Sequence, residues 1–298
     1  MKVYRFIYLL VLSVLLISCE QEVIIDLPEY KPKLVVEGYI ESDGYPMVTL
    51  SKSIPYFEPI DTNTVRNLYI GNEATVIVYS QNDADTLQCM EFGNYKFFTG
   101  TKFKGEVGET YKLKIIYDGK TYTATTSIPY PVPIDSVKFY PDPDLTGDTL
   151  GFLWLYVKDP DTLGNYYRIF TKTIGQDPVF VHPNMSVDED KYFNGLPLEF
   201  SVYHGRNMLN ENDTTEDEGV KKWYHFEMGD TVVVKWCSLD RAHFLFWRTV
   251  EQQQQSDGNP FAAPVTPYTN ISGGALGIWG GYGVYLDTVV ITPEIIRR

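Results

Sequence analysis

The chain has 298 residues, with 39 acidic against 25 basic side chains, a formal net charge of −14 and 44% hydrophobic residues. That length and apolar content can bury ordinary cores, about two of ~150 residues each, so the few cysteines are not the framework of a small disulfide-stapled fold. The acidity argues against nucleic acid, whose phosphates need a face of Lys and Arg, and against adsorption to anionic membrane through the protein surface.

At the N-terminus, Lys2 and Arg5 form a short positive region around the start of the apolar run Phe6–Ile17. The run is about a dozen residues against the ~20 that a helix needs to cross a bilayer, which is the pattern of a secretory signal and not of a stop-transfer helix. Leu16-Ile17-Ser18-Cys19 resembles the lipobox of bacterial lipoproteins. That resemblance implies that the Cys19 thiol is alkylated by diacylglycerol, that residues 1–18 are removed and that the new amine is acylated. The competing reading, a plain signal peptide with an unmodified cysteine, requires an A-x-A-like cleavage site that the segment lacks. Loss of residues 1–18 removes two bases and no acids and leaves the mature chain at about −16, so the anchor is lipid and not charge. Several acyl chains, at ~0.8 kcal/mol per buried methylene, hold a protein where one is marginal. Residues 19–33 then form the lipidated cysteine and an extended tether containing Glu20, Glu22, Pro28 and Pro32.

Residues 34–130 read as an N-terminal β-sandwich of immunoglobulin or fibronectin kind, because short runs rich in Val, Ile, Thr, Tyr and Phe alternate with Gly, Asp, Asn and Pro. The expected strands are Leu34–Glu41, Met47–Ser53, Ala74–Ser80, Thr86–Phe92, Tyr95–Thr99 and the hairpin Tyr111–Ile128. Asp118-Gly119 is the sequence form of its two-residue type I′ turn. Pro129, Pro131 and Pro133 cannot continue a ladder and place a domain boundary there.

Residues 131–298 read as a second β-rich, sandwich-like domain, so the fold class is mainly β throughout. Its expected strands are Phe152–Val157, Tyr166–Thr173, Leu198–Tyr203, Trp223–Glu227, Thr231–Trp236 and Val284–Ile291, with an exposed polar insert, NENDTTEDEG. One helix, about 240–255, is predicted from Leu239, His243, Phe246 and Val250 at helical spacing after a cap at Ser238 or Asp240. A Pro-broken loop, NPFAAPVTPY, and a Gly-rich turn, ISGGALGIWGGYG, separate it from the last strand. Cys89 and Cys237 fall in different domains and read as buried, inert thiols, a disulfide between them being the other possibility.

Chemistry-bearing patterns are few. There is no G-x-S-x-G elbow and no H-E-x-x-H helix, and His182, His204, His225 and His243 are scattered, so no catalytic residue, cofactor or metal ligand is expected. A triad assembled from distant positions stays open. His243, between Ala242 and Phe244, reads as a core histidine. DPDLTG from Asp142 and DPDTLG from Asp159 begin like calcium loops but carry Thr146 and Leu153, or Leu163 and Phe170, where an EF-hand needs ligands. Asp-Pro turns, in which the aspartate side chain accepts its own backbone amides, are the preferred reading. The glycine stretch lacks the Lys-Ser/Thr of a phosphate cradle. Aromatics in loops are the informative ones, since alternation cannot assign them inward. Tyr56, Phe57, Phe261, Tyr268, Trp279 and Tyr282 are therefore candidates for stacking on a ligand or docking a partner, or else they pin loops.

SCEQEVIIDLPEYKPKLVVEGYIE, VTLSKSIPYFEP and NPFAAPVTPYTNISGGALGIWGGYG bracket nearly all of the mature chain. In combination they resemble the Bacteroidota lipoprotein family known as domain of unknown function 4249. The resemblance implies an outer-membrane lipoprotein, displayed on the cell surface, commonly encoded beside a TonB-dependent receptor, with no established catalytic residues. It also implies that acids after the lipidated cysteine, here Glu20 and Glu22, act as a surface-sorting signal. The expected function is a non-catalytic binding or accessory module of a TonB-dependent nutrient transporter, with a peptide or glycan ligand. An adhesive or structural envelope protein is the alternative, and an unrecognised hydrolase the third.

Overall fold

The computed structural model describes residues 30–55, 64, 67–145, 149–205, 224–256, 263 and 265–292. Cys19, Glu20, Glu22, Tyr56, Phe57 and Phe261 lie outside the described residues, as do the signal segment and the acidic insert. Pro32–Arg298 form one compact unit.

The chain is mainly β. In order it forms β1 (Leu34–Glu41), β2 (Met47–Lys52), β3 (Thr75–Tyr79), β4 (Ala84–Thr86), β5 (Gln88–Phe92), β6 (Tyr95–Thr99), β7 (Thr110–Tyr117) and β8 (Lys120–Ser127). Then follow β9 (Ile134–Pro141), β10 (Leu150–Lys158), β11 (Tyr166–Thr173), β12 (Val187–Glu189), β13 (Pro197–Val202), β14 (Phe226–Glu227), β15 (Thr231–Leu239), the helix α1 (Arg241–Ser256) and β16 (Leu276–Val290). Local chemistry accounts for several of these directly. In β1, buried Val36, Gly38 and Ile40 alternate with Glu37, Tyr39 and Glu41, the period of two that gives a strand two different faces. Asp118 and Gly119 have φ of 50° and 68°, as the type I′ turn between β7 and β8 requires. Asp240 caps α1, its Oδ1 accepting from the His243 amide at 2.8 Å.

An eight-stranded sheet in the order β12-β11-β15-β16-β1-β2-β6-β5 runs through the whole body. One four-stranded sheet, β4-β3-β7-β8, faces its first part across a core that includes Val36, Leu50, Val76, Leu113 and Trp279. A second, β13-β10-β14 with β9 beside β10, faces its other part across a core of Phe139, Leu155, Tyr167, Val234 and Trp236. The two cores divide near the proline stretch, but the backbone ladder does not. β16 pairs in parallel with β1 through residues 276–282 and antiparallel with β15 through residues 282–290, so Tyr282 is bonded to both neighbours. The two expected sandwiches are thus built on one shared sheet.

The glycine stretch is the chief departure from expectation. Residues 276–283 are strand and not turn, because the glycines answer to close neighbours and not to a reversal. A Cβ on Gly280 would lie 2.1 Å from His243 Nδ1, one on Gly281 would lie 2.2 Å from the Ser127 carbonyl, and one on Gly283 would lie 2.0 Å from the Pro129 carbonyl. One face of β16 thus admits α1, and the other admits the chain running from β8 into the prolines. Gly280→Ala should therefore overpack the helix–sheet contact, costing about 1–3 kcal/mol and lowering Tm by roughly 3–10 °C. Thermal denaturation followed by circular dichroism checks this, and an unchanged Tm would mean that the helix does not pack at Gly280.

Candidate functional site

The face of the large sheet turned away from both cores carries the side chains that alternation throws to the other side. Arg168 and Phe170 come from β11, Lys235 and Cys237 from β15, Tyr282 from β16, and Glu37, Tyr39 and Glu41 from β1. Helix α1 covers part of this face through Phe244, which packs with Cys237, Leu239 and Tyr282. Where the helix stops covering it, a cavity of about 540 Å³ opens, walled by these strands, by His243 and Trp247 of α1, and by Phe180 and His182 from the segment after β11.

Five charged side chains line the cavity. Lys172 donates to the Pro178 carbonyl at 3.0 Å and Glu41 pairs with Lys235, and the remaining groups set its chemistry together with that lysine. Arg168 is 2% exposed, stacked 3.5 Å from the centroid of Trp247 and 4.7 Å from that of Phe170. Its Nε donates to Ser186 Oγ at 3.1 Å and its Nη1 to Tyr282 Oη at 2.8 Å. Ser186 in turn donates to Glu251 at 2.6 Å, so that carboxylate is tied to the guanidinium only through a hydroxyl. Of five guanidinium donors, three have no partner among the described residues. Lys235, by contrast, is matched: it forms an ion pair with Glu41, and its ammonium lies 5.0 Å from the Phe180 ring centroid and 5.3 Å from that of Phe170. Glu37 is the third. Its carboxylate is open to the interior of the cavity and makes no hydrogen bond or ion pair among the described residues. Desolvation by the surrounding walls raises its pKa, and the positive charge of Arg168 acts in the other direction.

The same environment holds the histidines neutral. Burial, then the charge of Arg168, lowers His182 to about 4 and His243 to about 3. Each ring bonds a backbone carbonyl, His182 to Pro183 at 3.1 Å and His243 to Gly281 at 3.3 Å, and neither is paired with a carboxylate. Burial pushes the Cys237 thiol up to about 12, so it is an inert thiol beneath the site. Among the described residues no group of three or more His, Cys, Asp or Glu could hold a metal ion.

Across residues 20–286 the chain matches the family described as Domain of unknown function (DUF4249). The chain belongs to this family. No curated protein matches it. Among solved structures it is similar to a two fibronectin type-III domain segment from chicken tenascin, at 10% identity and a TM-score of 0.21, over 87% of this chain and 98% of that one.

Of the singled-out loop aromatics of this DUF4249 chain that fall among the described residues, Tyr282 lies in the cavity and Trp279 and Tyr268 do not. Trp279 is 0% exposed, on the opposite face of β16, its Nε1 donating to the Tyr111 carbonyl at 3.2 Å within the first core. It is a packing residue and not a ligand platform, because its stretch is strand and its position alternates inward. Tyr268 is 39% exposed, its amide donating to Thr249 Oγ1 at 2.8 Å, and it does not line the cavity. Both Asp-Pro motifs serve the fold. Asp142 Oδ1 accepts from the Asp144 amide at 2.9 Å and its Oδ2 meets His225 Nε2 at 2.8 Å, while Asp159 accepts from the Tyr167 hydroxyl and the Gly195 amide. His204 pairs with Asp177 at 2.9 Å. Cys89 and Cys237 are both free. Sequence reasoning did not single out Glu37, Arg168 or Lys235, since polar residues alternating along a strand look the same whether they face water or a cavity.

His243 carries a pH signature. Unfolded, it takes a proton near 6.5, whereas folded it stays neutral down to about 3. Between those values the unfolded state binds more protons, so this contribution is intact above pH 6.5 and is lost progressively as pH falls toward 3. One such group contributes a slope of at most ~1.4 kcal/mol per pH unit. Urea denaturation at pH values from about 6 to 4 should show His243→Gln with a flatter stability profile than the parent by about that slope. Parallel profiles would mean that His243 is not held neutral.

Proposed function

We propose that this protein is a lipid-anchored, non-catalytic binding module of the outer membrane. It is held at Cys19, sorted to the cell surface by Glu20 and Glu22, and works beside a TonB-dependent receptor to capture a small nutrient for uptake. The observation that carries the binding reading is the preformed cavity of about 540 Å³ with a buried, incompletely bonded Arg168 in its wall. Sites of ~300–1,000 Å³, mostly apolar and with a few convergent polar groups, are the usual form of a small-molecule pocket. The cavity histidines, bonded to backbone carbonyls and held neutral, lack the carboxylate that would orient a general base, which favours binding over hydrolysis. The anchor is supported by the lipobox-like Leu16–Cys19 and by a family match that begins at residue 20, immediately after that cysteine. Among the described residues no helix is long and apolar enough to cross a membrane.

Two measurements test this reading. Outer membranes solubilised in mild detergent should yield the protein together with a TonB-dependent receptor, and a protein that emerges alone counts against the accessory role. Cys19→Ala should abolish labelling by radioactive palmitate and move the protein to the soluble fraction. The double variant Glu20→Ala, Glu22→Ala should stay labelled but lose its accessibility to protease added to intact cells. Unchanged accessibility would remove the sorting role and leave the anchor.

A further inference from the structure

Two groups of opposite charge face one cavity without a partner of their own. Arg168 is buried between the Trp247 and Phe170 rings with three N–H donors unused among the described residues, and Glu37, which lines the same space, makes no hydrogen bond among them. The two form no ion pair with one another, although each lies within the other's electrostatic reach. Of the other charged groups lining the same cavity, Lys235 and Glu41 are already paired, and the Lys172 ammonium donates to the Pro178 carbonyl at 3.0 Å. A buried cation lacking a counter-charge is costly, whereas Glu37 is an exposed side chain whose carboxylate faces the solvent of the cavity. Arg168 therefore calls for a counter-charge from outside the chain, and Glu37 is free to contact the same molecule.

The kind of molecule that completes both follows from the signs. A simple anion satisfies Arg168 but meets repulsion from Glu37. A simple cation does the reverse, and a neutral sugar compensates neither charge. A molecule with a carboxylate at one end and an ammonium at the other satisfies the two at once, and the faces of Phe170, Phe180 and Trp247 offer apolar surface to whatever lies between. Arg is suited to the carboxylate end because two parallel N–H bonds match its geometry.

We infer that the cavity binds a short peptide with both termini free, its terminal carboxylate on the Arg168 guanidinium and its terminal ammonium on the Glu37 carboxylate. This rests on the binding-module reading above and narrows its ligand to zwitterions. The assignment does not extend to the receptor. A protein that co-purifies with a TonB-dependent receptor yet binds no peptide would lose this inference and keep that reading.

The test uses the full chain in detergent and isothermal titration with alanyl-phenylalanine, trialanine, their C-terminal amides, their N-acetyl forms, and inorganic phosphate. Free peptides should bind, and blocking either end should weaken binding at least about tenfold, as expected when one partner of a desolvated charge pair is removed. Glu37→Gln removes a carboxylate that makes no hydrogen bond among the described residues, so the fold should be retained. In that variant, N-acetyl and free peptides should bind within about threefold of one another, while sensitivity to C-terminal amidation persists. Arg168→Lys should give the converse pattern, and Glu37→Gln decides the matter if Arg168→Lys does not fold. Equal binding of free and blocked peptides, phosphate binding as tight as peptide, or no binding by any of these probes would overturn the inference.

Discussion

The body depends on one strand that belongs to two neighbours. β16 gives its first half to β1 and its second half to β15, and at Tyr282 the two ladders meet. Without that continuity the first core would lose Trp279, the second would lose Val289, and the sheet that holds the cavity would divide beneath it. The strand achieves this because it has almost no side chain where others approach. Ser127 and Pro129 pass over Gly281 and Gly283 on one side, and His243 sits on Gly280 on the other. Backbone in this setting acts as a packing surface, and the tolerances are those of atomic contact.

Resting on that sheet, the cavity departs from what stability alone would select. A core built for stability would put Leu or Met at Arg168, since replacing a buried ion by well-packed apolar groups is commonly neutral or favourable. The guanidinium is instead held over the Trp247 ring, with Ser186 and Tyr282 each accepting one of its N–H bonds. Helix α1 supplies the indole and the Glu251 that steadies Ser186. Helix placement, through Asp240 and Gly280, therefore governs how the arginine is presented, which is the arrangement expected of a site whose contacting groups are supported from behind.

Much of the fold was legible in local pattern. The strands at Leu34–Glu41, Tyr95–Thr99 and Tyr166–Thr173, the Asp118-Gly119 turn and the helix near residues 240–255 all follow from period and turn chemistry, and each is present. What failed was the extension of the turn beyond Gly273 and Gly274, which do form one with φ of 84°, to the glycines of residues 276–283. Glycine marks a reversal when φ is positive, but it equally marks a place where another chain passes within a Cβ's reach, and composition does not separate the two. Trp279 was picked as a loop aromatic for that reason, and Tyr282 came from the same stretch. Opposite parity on one strand then sent the first into the core and the second into the cavity. Glu37 and Arg168 were legible only as strand residues, because which face of a central strand meets water and which meets a roof is decided by α1, about 200 residues from β1 along the chain.

The position of β1 also bears on how the body responds to load. The first described strand is not at an edge. It lies inside the sheet, with seven residues in register with β16 on one side and six in register with β2 on the other. A pull applied through the N-terminal segment along the strand axis meets both ladders in shear, so their hydrogen bonds share the tension and must yield nearly together. An edge strand peeled from one end would release its bonds singly. The N-terminal end of the described body is accordingly its mechanically stiff end, and a tug applied there is delivered directly to the strand that carries Glu37.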